Sequence, residues 1–282
     1  MVGSILKMAL LAAGLALAPL SDAVAQGAAP AKPEGKPEMR EGCPGLIASR
    51  SPLFQPASMR LAALNADQMR ITYVGHATFL LESPQLVRIA TDYNDYVRPL
   101  VTPDIVTMNH AHSTHYTSHP DAGIAHVLRG WADDEKPARI DLTYKDVRVR
   151  NVPTNIRTFS GTVERHGNSI FIFEIASLCV AHLGHLHGTL TQQQLDEMGR
   201  VDVVMVPVDG SYTLDLDGMV EVLHALKAPL LIPMHYFNTY SLNRFLERMK
   251  QEWDIETLAV PSVVLSKATM PVKPKILVLP GH

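Results

Sequence analysis

The sequence predicts an α/β domain in which β-sheets pack together and helices lie on the outside. Three observations carry this. Short runs rich in Val, Ile, Phe, Tyr and Thr alternate with a few capped helical segments. Two of these runs, Val203-Val204-Met205-Val206-Pro207-Val208 and Leu230-Leu231-Ile232-Pro233-Met234, are almost continuously apolar and require cover on both faces. With 46% apolar residues in a chain of 282, one large core can be filled, and more than two domains are not expected.

The chain opens on a targeting signal. Lys7 precedes an apolar run over 8–20, and Ala23-Val24-Ala25 supplies the small residues that a signal peptidase requires. The run is shorter than the about 20 apolar residues of a membrane-spanning helix, so no stable span is expected after processing. We therefore read 1–25 as a signal peptide and expect export to the periplasm or beyond. Residues 26–42, rich in Ala, Pro, Gly and charge, read as a flexible linker. The domain is expected over 43–282, beginning with an arm that extends to about residue 67. Export places Cys43 and Cys179 in an oxidising compartment, and spacing leaves their pairing open.

Strands are predicted over 70–74, 77–82, 87–91, 105–108, 146–152, 169–175, 178–182, 201–208 and 230–235, with closing strands over 262–265 and 275–279. Helices are predicted over 192–198 after Thr189 or Thr191, over 218–226 after Asp215 or Asp217, and over 242–253 after Ser241. The net charge of -3 is mixed along the chain. No basic stripe marks a nucleic-acid partner, so a small-molecule substrate is the expected partner. Oligomerisation is left open.

Of 13 histidines, most crowd into three short segments beyond apolar strands. These are His110-Ala111-His112-Ser113-Thr114-His115 with His119 close behind, His182-Leu183-Gly184-His185-Leu186-His187, and His235 in Pro233-Met234-His235-Tyr236. In each, a strand delivers imidazoles into a loop, where neutral nitrogens can converge on a cation. His119 and His187 read as bystanders, and His166 as structural.

Gly75-His76-Ala77-Thr78-Phe79-Leu80-Leu81-Glu82, the His110-x-His112-x-Thr114-His115 run, His182-Leu183-Gly184 and Ile232-Pro233-Met234-His235-Tyr236 resemble the metallo-β-lactamase superfamily in order and approximate spacing. The resemblance runs from about Met69 to Tyr240 and is greatest to the lactonase-like branch. That branch includes ascorbate-6-phosphate lactonase and N-acyl-phosphatidylethanolamine-hydrolysing phospholipase D relatives. It implies a four-layer αββα sandwich. By motif it implies His110, His112 and His182 as a first metal site, and His115 and His235 as ligands of a second. Asp92 resembles the family's acidic residue behind the ligands, with a turn or cap role as its alternative. His76 stands where relatives carry a histidine beside the site.

Two positions depart from that pattern. The family's His-x-His-x-Asp-His motif here has Thr114 in place of aspartate, and the usual bridging aspartate after the third histidine is His185. A neutral imidazole has one free lone pair and cannot bridge two cations as a carboxylate does. Two divalent ions about 4 Å apart repel strongly without carboxylates between them. One ion is therefore favoured over two, the second to be held by His115, His185 and His235 if present. Zinc (Zn2+) is the default for nitrogen ligation, with manganese (Mn2+) or iron as alternatives. The implied function is metal-dependent hydrolysis of an ester, lactone or phosphodiester by a hydroxide formed on the metal. His185 and His76 are candidate catalytic bases, and Tyr236 a donor to substrate. The alternative is a catalytically degenerate relative that binds metal or ligand without turnover.

Overall fold

The computed structural model describes residues 63–132, 136–158 and 160–281, and all of them belong to one compact unit. The segments read as signal peptide and linker, together with Cys43, lie outside the described residues. Two sheets face each other. The first has six strands in the order β13-β1-β2-β3-β4-β5, and the second has eight in the order β12-β14-β11-β10-β9-β8-β7-β6. Their ranges are β1 Gln68–Gly75, β2 Thr78–Glu82, β3 Arg88–Ala90, β4 Ile105–Met108, β5 His126–Arg129, β6 Asp141–Tyr144 and β7 Val147–Arg157. These are followed by β8 Val163–Ile175, β9 Leu178–His182, β10 Val203–Pro207, β11 Leu230–Met234, β12 Asp254–Thr257, β13 Ser262–Ser266 and β14 Lys275–Val278.

Alternation along the strands builds the core in two layers. Val203 and Met205 of β10 and Phe171 and Phe173 of β8 point between the sheets, where they meet Ile71, Phe79, Leu81 and Ile89. Val204, Val206, Ile170 and Ile172 point the other way, onto the helices. Both faces of β10 and β11 are thus buried, as continuous apolar runs require. The helices α1 Gln192–Met198, α2 Leu216–Leu226 and α3 Thr239–Met249 present Leu195, Met198, Met219, Leu223, Phe245 and Met249 to that outer layer. The α/β sandwich of the metallo-β-lactamase type is therefore the architecture. Among the described residues its three α-helices all cover the eight-stranded sheet. Loop residues Tyr93, Tyr116, Ile124 and Trp131 pack on Ala90, Val106 and Met108 across the other.

Capping follows the sequence closely for two helices. Thr191 starts α1 in a reciprocal capping box with Gln194, and the Asp215 side chain accepts from Gly218 N at the start of α2. The third helix differs from expectation. Asn238 caps it by accepting from Tyr240 N and Ser241 N, and it ends at Met249 rather than 253. Strands β5, β6 and β12 were not foreseen. They lie at or beside sheet edges with half-exposed or exposed side chains, so no apolar run marks them. The β7–β8 hairpin also runs past residue 152 to Arg157 and Val163, with a register shift between Thr154 and Ile156 that re-aims its outer end.

No helix among the described residues is long and apolar enough to cross a membrane. Cys179 is buried in β9, and its pairing with Cys43 falls outside the described residues.

Candidate metal centre

Strands β1, β3 and β4 of one sheet and β9, β10 and β11 of the other all end at the same edge of the sandwich. His235 N donates to His76 O (2.8 Å), tying the end of β11 to the end of β1 across the two sheets. His76, Asp92 and His235 leave their strands with positive φ (51°, 42° and 55°), a backbone region uncommon for residues other than glycine.

Four imidazoles converge at this edge. His112, His115, His185 and His235 each offer a ring nitrogen, and these atoms lie within 4.8 Å of one another. His112 Nε2 and His185 Nε2 are 3.1 Å apart, and His115 Nε2 and His235 Nε2 are 3.2 Å apart. The outer nitrogen of every ring is engaged. His115 Nδ1 meets Asp92 Oδ2 (2.6 Å), and His235 Nδ1 meets Asp209 Oδ1 (3.0 Å). His112 Nδ1 meets Thr114 Oγ1 (2.9 Å), and His185 Nδ1 meets His187 Nε2 (2.6 Å). Metal-binding histidines are fixed in this way: a partner holds the proton on one nitrogen and frees the other's lone pair.

The supports are themselves anchored. Asp92 also accepts from Asn109 Nδ2 (2.9 Å), and Asn109 Oδ1 accepts from Ser169 N (2.8 Å). Asn168 Oδ1 accepts from His185 N (2.8 Å). Gly184 sits between Asn109 and Asn168 at φ 58°, and a Cβ there would collide with both amides. Asp209 is held by a tight loop: Ser211 N, Tyr212 N and Thr213 N donate to one carboxylate oxygen, while Thr213 Oγ1 and His235 donate to the other.

Electrostatics favour the neutral form of His112, His115 and His185 and keep the acids charged. Burial, then the neighbouring His235, lowers the pKa of His112, and the same pair of causes lowers that of His115 well below the ordinary value. Burial and then His115 lower that of His185. Burial raises Asp92 to about 6, still below neutrality, against the opposing pull of His182 and Asn109. For Asp209 burial acts upward, but its hydrogen bonds from His235 and Thr213 outweigh it and hold the carboxyl well below the usual range. Neutral imidazoles bind a cation without first losing a proton.

Several residues named from the sequence sit elsewhere. His110, grouped with His112 in the expected first site, turns outward, bonds Glu164 Oε1 through Nδ1 (2.6 Å) and stacks on Trp131. His182 is wholly buried: its Nε2 meets Ala77 O (2.8 Å) and its Nδ1 accepts from Gly184 N (3.2 Å). Both of its nitrogens are consumed by backbone, so the expected three-histidine site is not assembled. Tyr236 packs on Tyr73, and its hydroxyl bonds the Tyr73 hydroxyl, which donates to His76 O (3.0 Å). It is a buttress rather than a substrate donor. His76 does lie at the cluster, its ring 4.2 Å from that of His235, with Nε2 3.0 Å from Thr114 Oγ1. Asp209 and His187 were missed. An aspartate just past an interior strand was the signal for Asp209, whereas nothing in the sequence separated His187 from a solvated loop histidine.

A two-sheet sandwich that gathers imidazoles from strand ends of both sheets defines a class of metal-site fold. Residues 70–235 match the β-lactamase superfamily domain, and the chain belongs to that superfamily in its metallo-β-lactamase form. It is 27% identical over 199 residues to a UPF0173 metal-dependent hydrolase of Thermoplasma acidophilum, covering 63% of this chain and 87% of the relative. A second UPF0173 metal-dependent hydrolase, from Methanoculleus marisnigri, is 24% identical and covers 65% and 88%. Among solved structures, a candidate zinc-dependent hydrolase of the metallo-β-lactamase superfamily from Thermotoga maritima superposes with a TM-score of 0.56 at 29% identity, covering 76% of this chain and all of that one. A di-iron β-hydroxylase from Streptomyces venezuelae shares the fold at 10% identity and a TM-score of 0.52, covering 72% and 55%.

Proposed function

We propose that the chain is a metal-dependent hydrolase with one ion held by His112, His115, His185 and His235. One observation carries this reading. Asp92 and Asp209, as carboxylates, only accept, so His115 and His235 each keep a proton on Nδ1. Their Nε2 lone pairs then face each other at 3.2 Å with no hydrogen between them. That contact is repulsive unless a cation lies between. A proton on His115 would make a buried imidazolium, which its lowered pKa opposes. A divalent ion fits between this pair, because two nitrogens each about 2.0 Å from one ion stand about 3.3 Å apart at a near-tetrahedral angle, and expansion to five ligands would leave a position for water.

Zinc is the first choice for such a donor set, with manganese or iron as alternatives. The ion would act as a Lewis acid on a carbonyl or phosphoryl oxygen and acidify a bound water. The protein's own part is positional. His112 donates from Nδ1 to Thr114, whose hydroxyl proton then goes to His76 Nε2, so Thr114 fixes two rings at once. Burial, then His235, lowers the His76 pKa to about 3, so the ring stays neutral and serves as a hydrogen-bond acceptor for Thr114 rather than as a general base. The lactonase-like resemblance supports an ester, lactone or phosphodiester substrate. The signal peptide read over 1–25 supports an extracytoplasmic workplace.

Metal analysis of untagged protein is the test. We expect one ion per chain in the wild type and little in His115→Ala or His235→Ala. A folded wild type that takes up none of zinc, manganese or iron would sink the reading.

A further inference from the structure

The β7–β8 hairpin overhangs two cavities beside the cluster. One of about 300 Å³ is bounded by His112 and His185, and a neighbouring one of about 380 Å³ runs toward Thr191 and Gln194. They share Ile156, Arg157 and His187. Arg157 stands at the end of β7, paired with Val163 across the hairpin, just beyond the register shift. Among the described residues it makes no hydrogen bond or ion pair. The carboxylate on the same cavity wall, Glu164, is engaged by His110 instead.

His187 adds a second donor. If His185 offers Nε2 to an ion, its Nδ1 keeps the proton and donates to His187 Nε2. A neutral His187 must then carry its own proton on Nδ1, and that atom is buried without any partner. An unmet buried donor calls for an acceptor. We infer that Arg157 and His187 Nδ1 form an anion subsite beside the metal centre, so that the substrate carries a carboxylate or phosphate group away from the bond that is cleaved. The His187 half of this rests on the metal reading above, whereas the Arg157 half stands on the cavity alone. A planar guanidinium suits either oxyanion, and a fixed N–H beside it adds direction.

Inorganic phosphate titrated into metal-free protein tests the Arg157 half of the subsite by calorimetry. We expect Arg157→Gln to weaken phosphate binding about tenfold, with Arg157→Lys intermediate. For zinc-loaded protein, the preference in kcat/KM for nitrophenyl hemisuccinate over nitrophenyl butyrate should fall about tenfold in Arg157→Gln. A carboxylate source is favoured if that preference falls while phosphate proves a weak competitor, and a phosphate source if phosphate competes strongly. Unchanged phosphate affinity and unchanged preference in Arg157→Gln overturn the inference. Zinc content measured on the same samples separates the two readings: a wild type without zinc fails as a hydrolase, yet the metal-free titration still decides Arg157.

Discussion

His115 and His235 are 120 positions apart in the chain and belong to opposite sheets, yet their Nε2 atoms face each other at 3.2 Å. Each ring is held from behind by a buried carboxylate, Asp92 for one and Asp209 for the other. That mirrored arrangement is the basis of the expectations that follow.

Removing a supporting carboxylate should weaken the site without removing a ligand. Asp209→Asn is expected to lower metal affinity about 10–100-fold, because an amide both relaxes the His235 tautomer and faces donors with its own N–H groups. Competition with a chromophoric chelator measures this. Wild-type affinity in the variant would show that Asp209 only closes its loop.

The ion should stabilise the fold by mass action. At a free zinc concentration a hundredfold above Kd, the gain is about 2.7 kcal/mol, or roughly 5–10 °C in Tm for a domain of this size. Calorimetry on wild type and on the His115→Ala/His235→Ala double variant checks this. The double variant should show no zinc-dependent shift.

His110 and His112 should behave oppositely despite sharing one motif. His110→Ala is expected to retain full metal content, since its ring bonds Glu164 and stacks on Trp131 outside the cluster, whereas His112→Ala loses most of it. Elemental analysis of the two variants decides. Equal loss in both would restore the grouping read from the sequence.

Gly184→Ala should be among the most damaging small substitutions. Its Cβ would enter the space of the Asn109 and Asn168 amides at a positive φ, so a loss of about 1–3 kcal/mol in stability is expected. Chemical denaturation reads the stability, and metal content should fall with it because Asn168 holds the His185 backbone.

The sandwich was legible because its signals are local. Apolar runs such as 203–208 declare interior strands, and Thr191 and Asp215 declare helix starts. Edge strands such as β12, with every residue exposed, carry no such signal. The site was legible as a set of histidines but not as a grouping. Motif position put His110 and His182 with His112. The ring directions that separate them depend on partners distant in sequence, Glu164 for one and the Ala77 carbonyl for the other. Asp209 escaped for the same reason, since its role exists only once β10 and β11 lie side by side.

His112 and His115 extend from the six-stranded sheet, and His185 and His235 from the eight-stranded one. An ion at their centre would therefore act as a clasp across the mouth of the sandwich, joining halves that are otherwise bound through apolar packing and a few hydrogen bonds. Amide hydrogens at the ends of β4, β9 and β11 should then exchange more slowly together on metal addition. Those at the far edge, near β6, should scarcely respond.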